Sequence, residues 1–164
     1  MKNIFLAIQD RLSEIPALKY IDKDWGQLRF ENPPVKFPCA LIDMANADFK
    51  QLGRGFQQGD ADITITVADI RLVRSSAQAP RRENAYAVIE LLDEIHQALQ
   101  LFTDGQHFSP MMRTNLQRVD MLDKEGAEVY VMTYRTAFTV EKRPIETVGV
   151  LADPRAVKAN SAQS

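Results

Sequence analysis

Four places in the chain carry residue types that could do chemistry: the run Gly53-Arg54-Gly55-Phe56-Gln57-Gln58-Gly59, the pair Asp93 and His96, His107, and the lone Cys39. A dinucleotide fingerprint would need its third glycine where Gln58 stands, and its loop must open a helix whose N–H groups face phosphate. A strand pattern follows here, so the run reads as an interaction loop. Asp93 and His96 pair a carboxylate with an imidazole three residues apart on a helix, a spacing metals use. A di-metal bundle needs a second such motif, and there is none, so His96 reads as a boundary histidine with its polar edge in water. His107 follows Gly105 in a loop with nothing to mark it as reactive. Cys39 lies in an apolar segment with no histidine near it in sequence, which makes it a buried, inert thiol. No Gly-x-Ser-x-Gly elbow occurs. The carboxylate pairs Asp60/Asp62 and Asp120/Asp123 sit beside turns and read as solvated. Arg71, Arg74, Arg81 and Arg82 could meet phosphates, but without interleaved aromatics and with Asp69 and Glu83 beside them they read as ion-pair partners. The expectation is a protein that is not an enzyme and takes no cofactor or metal.

The scaffold that must position these groups is read from composition and periodicity. The chain has 164 residues, 45% hydrophobic and 26% charged, with a net charge of −2. That is globular, and no global positive field draws it to nucleic acid. A single cysteine excludes an intramolecular disulfide framework and fits a reducing cytoplasm. No segment approaches the roughly 18 apolar residues of a membrane span, so a soluble protein with no membrane partner is expected.

Ile4, Ile8, Leu12 and Ile15 fall on one helical stripe, ended by Pro16. Two short extended pieces, 19–22 and 27–30, flank a turn at Trp25-Gly26. A strand is expected over 37–44, then a long polar connection over 45–60. Alternation of Ile63, Ile65 and Val67 with Thr64, Thr66 and Ala68 predicts a strand with one buried face, running to about Val73. Val88, Leu91, Leu92, Ile95, Leu99 and Phe102 predict a second helix over 80–104, with Pro80 in its first turn and Gly105 as its stop. Two strands, 111–123 and 127–141, should form a hairpin around Lys124-Glu125-Gly126. The expected fold is α+β, a single mostly antiparallel sheet with two helices packed on one face. Residues 1–143 form the domain and 144–164 a C-terminal arm or disordered tail.

A length mismatch accompanies this layout. A helix over 80–104 spans about 37 Å, whereas a strand over 127–141 reaches about 50 Å. The tip of that hairpin should project past the helix-covered core, and a bare ribbon in water needs a cover, most simply another subunit.

The arrangement resembles the tail terminator (tail completion, minor tail) proteins of long-tailed bacteriophages. The resemblance is carried by the amphipathic start Ile4 to Ile15, the segment Pro33-Pro34-Val35-Lys36-Phe37-Pro38-Cys39-Ala40-Leu41-Ile42, the loop Phe49 to Gly59 leading into Asp60-Ala61-Asp62-Ile63-Thr64-Ile65-Thr66-Val67, the helix Asn84 to Phe102, and the closing hairpin. It covers nearly everything up to Lys142 and rests on layout, with no invariant motif. It implies a structural subunit, located in the virion tail and made in the host cytoplasm, that assembles into a homo-oligomeric ring, typically a hexamer. Such a ring caps the tail tube protein, offers a surface to the head-tail connector protein, and lets DNA pass through its lumen without specific binding. A closed ring of head-to-tail contacts needs two unlike patches per subunit. The candidates are Phe49, Leu52, Arg54 and Phe56 on the loop, and Leu122, Glu125 and Val129 at the hairpin tip. Phe49 and Phe56 have a second reading, folding back over an open sheet edge. Another neck or baseplate component, or a small ligand- or peptide-binding α+β domain, are the alternative functions.

Overall fold

The computed structural model describes residues 1–73, 75–80 and 82–141. Arg74 and Arg81 of the basic stretch, and the segment expected to be an arm, lie outside the described residues. Helix α1, Lys2–Ser13, buries Ile4, Ile8 and Leu12, the stripe expected from their spacing. Helix α2, Ala87–Leu99, buries Val88, Leu91, Leu92, Ile95 and Leu99 and is entered through a 3-10 turn, Arg82–Tyr86. It is shorter than its apolar periodicity suggests. Pro80 lies in a turn ahead of it, and the backbone leaves the helix at Leu101, where φ is 60°. From there Leu101 N–H donates to Met111 O at 2.8 Å and Met111 N–H donates to Phe102 O at 2.9 Å. Phe102 keeps its helical place in the sequence pattern while its backbone bonds to the start of a strand.

The sheet comprises β1, Tyr20–Lys23; β2, Cys39–Gly53; β3, Phe56–Ile70; β4, Met112–Val119; and β5, Ala127–Glu141, in the order β1-β2-β3-β5-β4. β1 runs parallel to β2 and every other pairing is antiparallel. The expected polar connection over 45–60 is corrected: it is the outer half of a β2–β3 hairpin, in register from Asn46↔Asp62 to Gln51↔Gln57 and closed at Arg54-Gly55. Gly55 supplies the positive φ of 83° that the tight turn needs. Ala45 and Leu52 are extra residues on β2, each making a bulge. Residues Gln27–Arg29 form a 3-10 turn where a second short strand was expected. The reason is the buried Gln27 side chain, which accepts from Trp25 N–H and donates to Lys23 O, each at 2.8 Å, and so ties the turn to β1.

Each sheet face has its own core. On one face Ala40, Ile42, Ile63, Ile65, Val67, Met132, Tyr134 and Phe138 pack against the stripes of both helices, with each full burial of a large apolar side chain contributing about 1.5–3 kcal/mol. This is the α+β arrangement expected, with both helices on one side. The opposite face is covered at one end only, by Leu28, Cys39, Leu41, Ala68, Leu122 and Val129. That second cluster corrects the expected projection of the 124–126 tip. Leu122 and Val129 are 6% and 2% exposed, because the turn folds under the sheet and supplies apolar cover there. The part that extends beyond the packed core is the β2–β3 turn.

Candidate subunit interface

The projecting end of the β2–β3 hairpin, called the arm from here on, begins at a row of three residues across β2, β3 and β5. Phe49 pairs with Gly59, and Gly59 pairs with Phe138. The two rings meet edge to face over the glycine, with centroids 5.9 Å apart and planes at 87°. A Cβ on Gly59 would come within 2.6 Å of the Phe138 ring, so glycine here makes room for the aromatic above it. Phe138 is buried in the helix-side core, whereas Phe49 is 48% exposed. Phe49 thus folds over the sheet with one edge and leaves the other open.

Beyond this row the cover ends. Leu52, on its bulge, is 59% exposed and Phe56 is 44% exposed, while Arg54 stands exposed at the turn. The nominated loop residues Phe49, Leu52, Arg54 and Phe56 therefore lie together on one projecting end. The outer edge of β2 is bare over the same length. β1 covers only Cys39–Ile42, and Asp24 N–H caps Ile42 O at 2.8 Å. From Asp43 to Gly53 no ladder partner lies outside β2 among the described residues.

At the base of the arm, the sheet face away from the helices is polar. Arg135 forks onto Asp62, with N–O distances of 2.9 and 3.0 Å. Lys50 reaches Asp60 at 3.2 Å, and the Gln58 amide donates to the same carboxylate at 2.7 Å. The Gln58 and Lys50 contacts hold Asp60 below the usual carboxylate range, and Asp62 raises Arg135. Pairs this exposed add little stability; their effect is to keep the face charged and wet.

The other nominated patch is not assembled. Of Leu122, Glu125 and Val129, only Glu125 is exposed. Two apolar residues that sequence reasoning missed, Met112 and Leu116, stand exposed on the outer strand β4. An exposed aromatic pair, Trp25 and Phe30, packs edge to face at 5.8 Å beside β1. The signal for Met112 and Leu116 was present in their strand pattern, but only the strand order shows that β4 is an edge.

The chemistry-bearing residues sit apart from this surface. His96 Nδ1 lies 3.3 Å from the Tyr134 hydroxyl, and burial lowers its pKa. Burial pushes the Cys39 thiol up to about 12. Asp104 accepts from the Gln106 and His107 N–H groups at 3.0 and 2.7 Å and faces His107 Nδ1 at 2.5 Å. Partial burial opposes its ionisation, yet these bonds bring its pKa down to about 2. Asn3 Nδ2 closes the cluster at 2.6 Å from His107 Nε2, which ties α1 to the loop. In the basic stretch, Arg71 pairs with the buried Asp69 at 2.5 Å, while Arg82 donates to Ala77 O at 3.2 Å.

No protein-family model and no curated protein matches the chain. A chain in a solved structure titled "Virion of native gene transfer agent (GTA) particle" superposes with a TM-score of 0.51 at 10% identity, over 83% of this chain and 94% of that chain. The likeness is one of fold. It extends the α+β arrangement described above to a protein of nearly the same span, and at that identity individual side chains do not carry across.

Proposed function

We propose that this chain is a structural virion protein that ends the tail of a phage-like particle. Copies close into a six-fold ring over the tail tube protein, present their outer surface to the head-tail connector protein, and leave a lumen through which DNA passes without specific binding. The observation that carries this reading is the arm, a projecting three-stranded end formed by β2, β3 and the last residues of β5, with Phe49, Leu52 and Phe56 uncovered and the outer edge of β2 unpaired among the described residues. Such an end is poorly stable alone and is completed by a neighbouring protein. The shared fold with a chain of a gene transfer agent virion supports a virion role, and the layout likeness to tail terminators supports the position at the end of the tail. The reading includes no enzymatic step and no cofactor: His96, His107 and Cys39 are engaged in holding the fold together. No helix among the described residues is long and apolar enough to cross a membrane.

Light scattering across concentration, with and without purified tail tubes, tests the proposal. A discrete mass near six subunits, or a ring seen by electron microscopy at tube ends, is the expected result. Binding to connector or baseplate proteins with none to tube ends would reassign the chain to another part of the virion. A monomer under every condition would remove the ring.

A further inference from the structure

We infer that residues 145–151 of one copy add as a strand to the bare outer edge of β2 in the neighbouring copy, an inference that rests on the ring reading above. The edge from Asp43 to Gly53 is interrupted by bulges at Ala45 and Leu52, but between them its outer backbone groups from Asn46 to Gln51 stay unpaired among the described residues, with no proline and a single lysine, Lys50, and it carries the uncovered Phe49 and Leu52. The run Ile145-Glu146-Thr147-Val148-Gly149-Val150-Leu151 is rich in β-branched residues, carries one charge and lies between Pro144 and Pro154. That is the composition of a short strand. It follows directly on β5, whose last residue, Glu141, pairs with Phe56 at the end of the arm.

Two occupants of the edge are possible, the chain's own segment and a neighbour's. To reach its own β2 edge the segment must cross three strand spacings, about 14 Å, which needs Lys142-Arg143-Pro144 fully stretched. The crossing would also draw Lys142 and Arg143 over Arg54 at the turn. The neighbour is reached on the other side. β4 stops pairing at Met112↔Arg135, so β5 lacks a ladder partner on that side from Phe138 to Glu141 among the described residues. In a head-to-tail ring this side faces the β2 edge of the next copy.

The test uses the full chain with Lys50→Cys in one preparation and Val148→Cys in another, the two carrying tags of different mass. Cys39 is fully buried and stays silent to maleimides. After mixing and assembly on tail tubes, a short bismaleimide should yield a covalent dimer containing one chain of each kind. A companion variant, Val148→Asp with Val150→Asp, should weaken the association constant between neighbouring copies at least about tenfold, equivalent to about 1.4 kcal/mol, with an unchanged circular dichroism spectrum. In a third preparation carrying both Lys50→Cys and Val148→Cys, cross-linking confined within single chains, with no mixed dimers from the first two, overturns the inference in favour of self-capping. Rings that form without mixed dimers, and tolerate the aspartates, overturn it while leaving the ring intact. Absence of any ring removes the inference together with the reading beneath it.

Discussion

At the scale of single residues, the tightest constraint is Gly126. Its φ is 74°, and an added Cβ would lie 2.5 Å from the Arg71 carbonyl oxygen. Arg71 N–H also donates to Gly126 O at 2.9 Å, so the two backbones cannot part without losing a bond. Gly126→Ala should therefore destabilise the fold by about 2 kcal/mol or more, the sum of a left-handed penalty and a backbone clash, read as a lower urea midpoint. The ionisable groups predict an acid limb in two stages. His96 is held neutral by burial, so stability is full above its unfolded pKa of about 6.5 and falls as the pH drops through the histidine range. Asp104, with a folded pKa of about 2, adds stability above its unfolded value of about 3.9, lost as the pH drops toward the folded one. Thermal melts from pH 8 to pH 2 should show both, with His96→Phe removing the first and Asp104→Ala the second. A pH-independent melting temperature would contradict both assignments.

At the scale of elements, the arm separates two roles that the sequence left merged. Phe49 leans on Phe138, so Phe49→Ala should cost about 1 kcal/mol of monomer stability through the lost aromatic contact. Phe56 lies beyond the packed row, so Phe56→Asp should leave the unfolding free energy from urea titration within about 0.5 kcal/mol of the parent while abolishing assembly in light scattering. A melted Phe56→Asp monomer would place the residue in the fold. The paired strands and α2 were legible because one face of each is apolar: Ile63, Ile65 and Val67 announce β3 without help. The outer halves of β2 and β3 were not. Their ladder continues through Asn46, Asp48, Lys50, Gln58 and Asp60, where the hydrogen bonds persist and the apolar alternation does not. The four loop residues of the candidate surface were legible as large side chains in a polar stretch. Leu122 and Val129 misled because an apolar residue near a turn looks the same whether the turn points outward or folds beneath a sheet. Nor does any pattern announce that a glutamine such as Gln27 will be buried to organise a turn.

At the scale of the whole molecule, the sheet has unequal cover along its length. One end has helices on one face and the second cluster on the other, the middle has helices only, and the arm beyond Phe49 has neither. Resistance to local opening should follow the same gradient. Backbone amides of Gln57 and Gln51 should exchange fastest, those of Ile63 and Met132 slowest, in a dilute solution of single copies. Closure of the proposed ring should change that profile from the weak end inward. Because association stabilises only the folded chain, the melting temperature should climb with protein concentration in the wild type and stay flat in Phe56→Asp. If copies assemble through the uncovered arm as proposed, heat resistance should follow abundance: a copy released from its neighbours should lose cooperativity first at the arm, and a dilute preparation should hold a softer protein than a concentrated one.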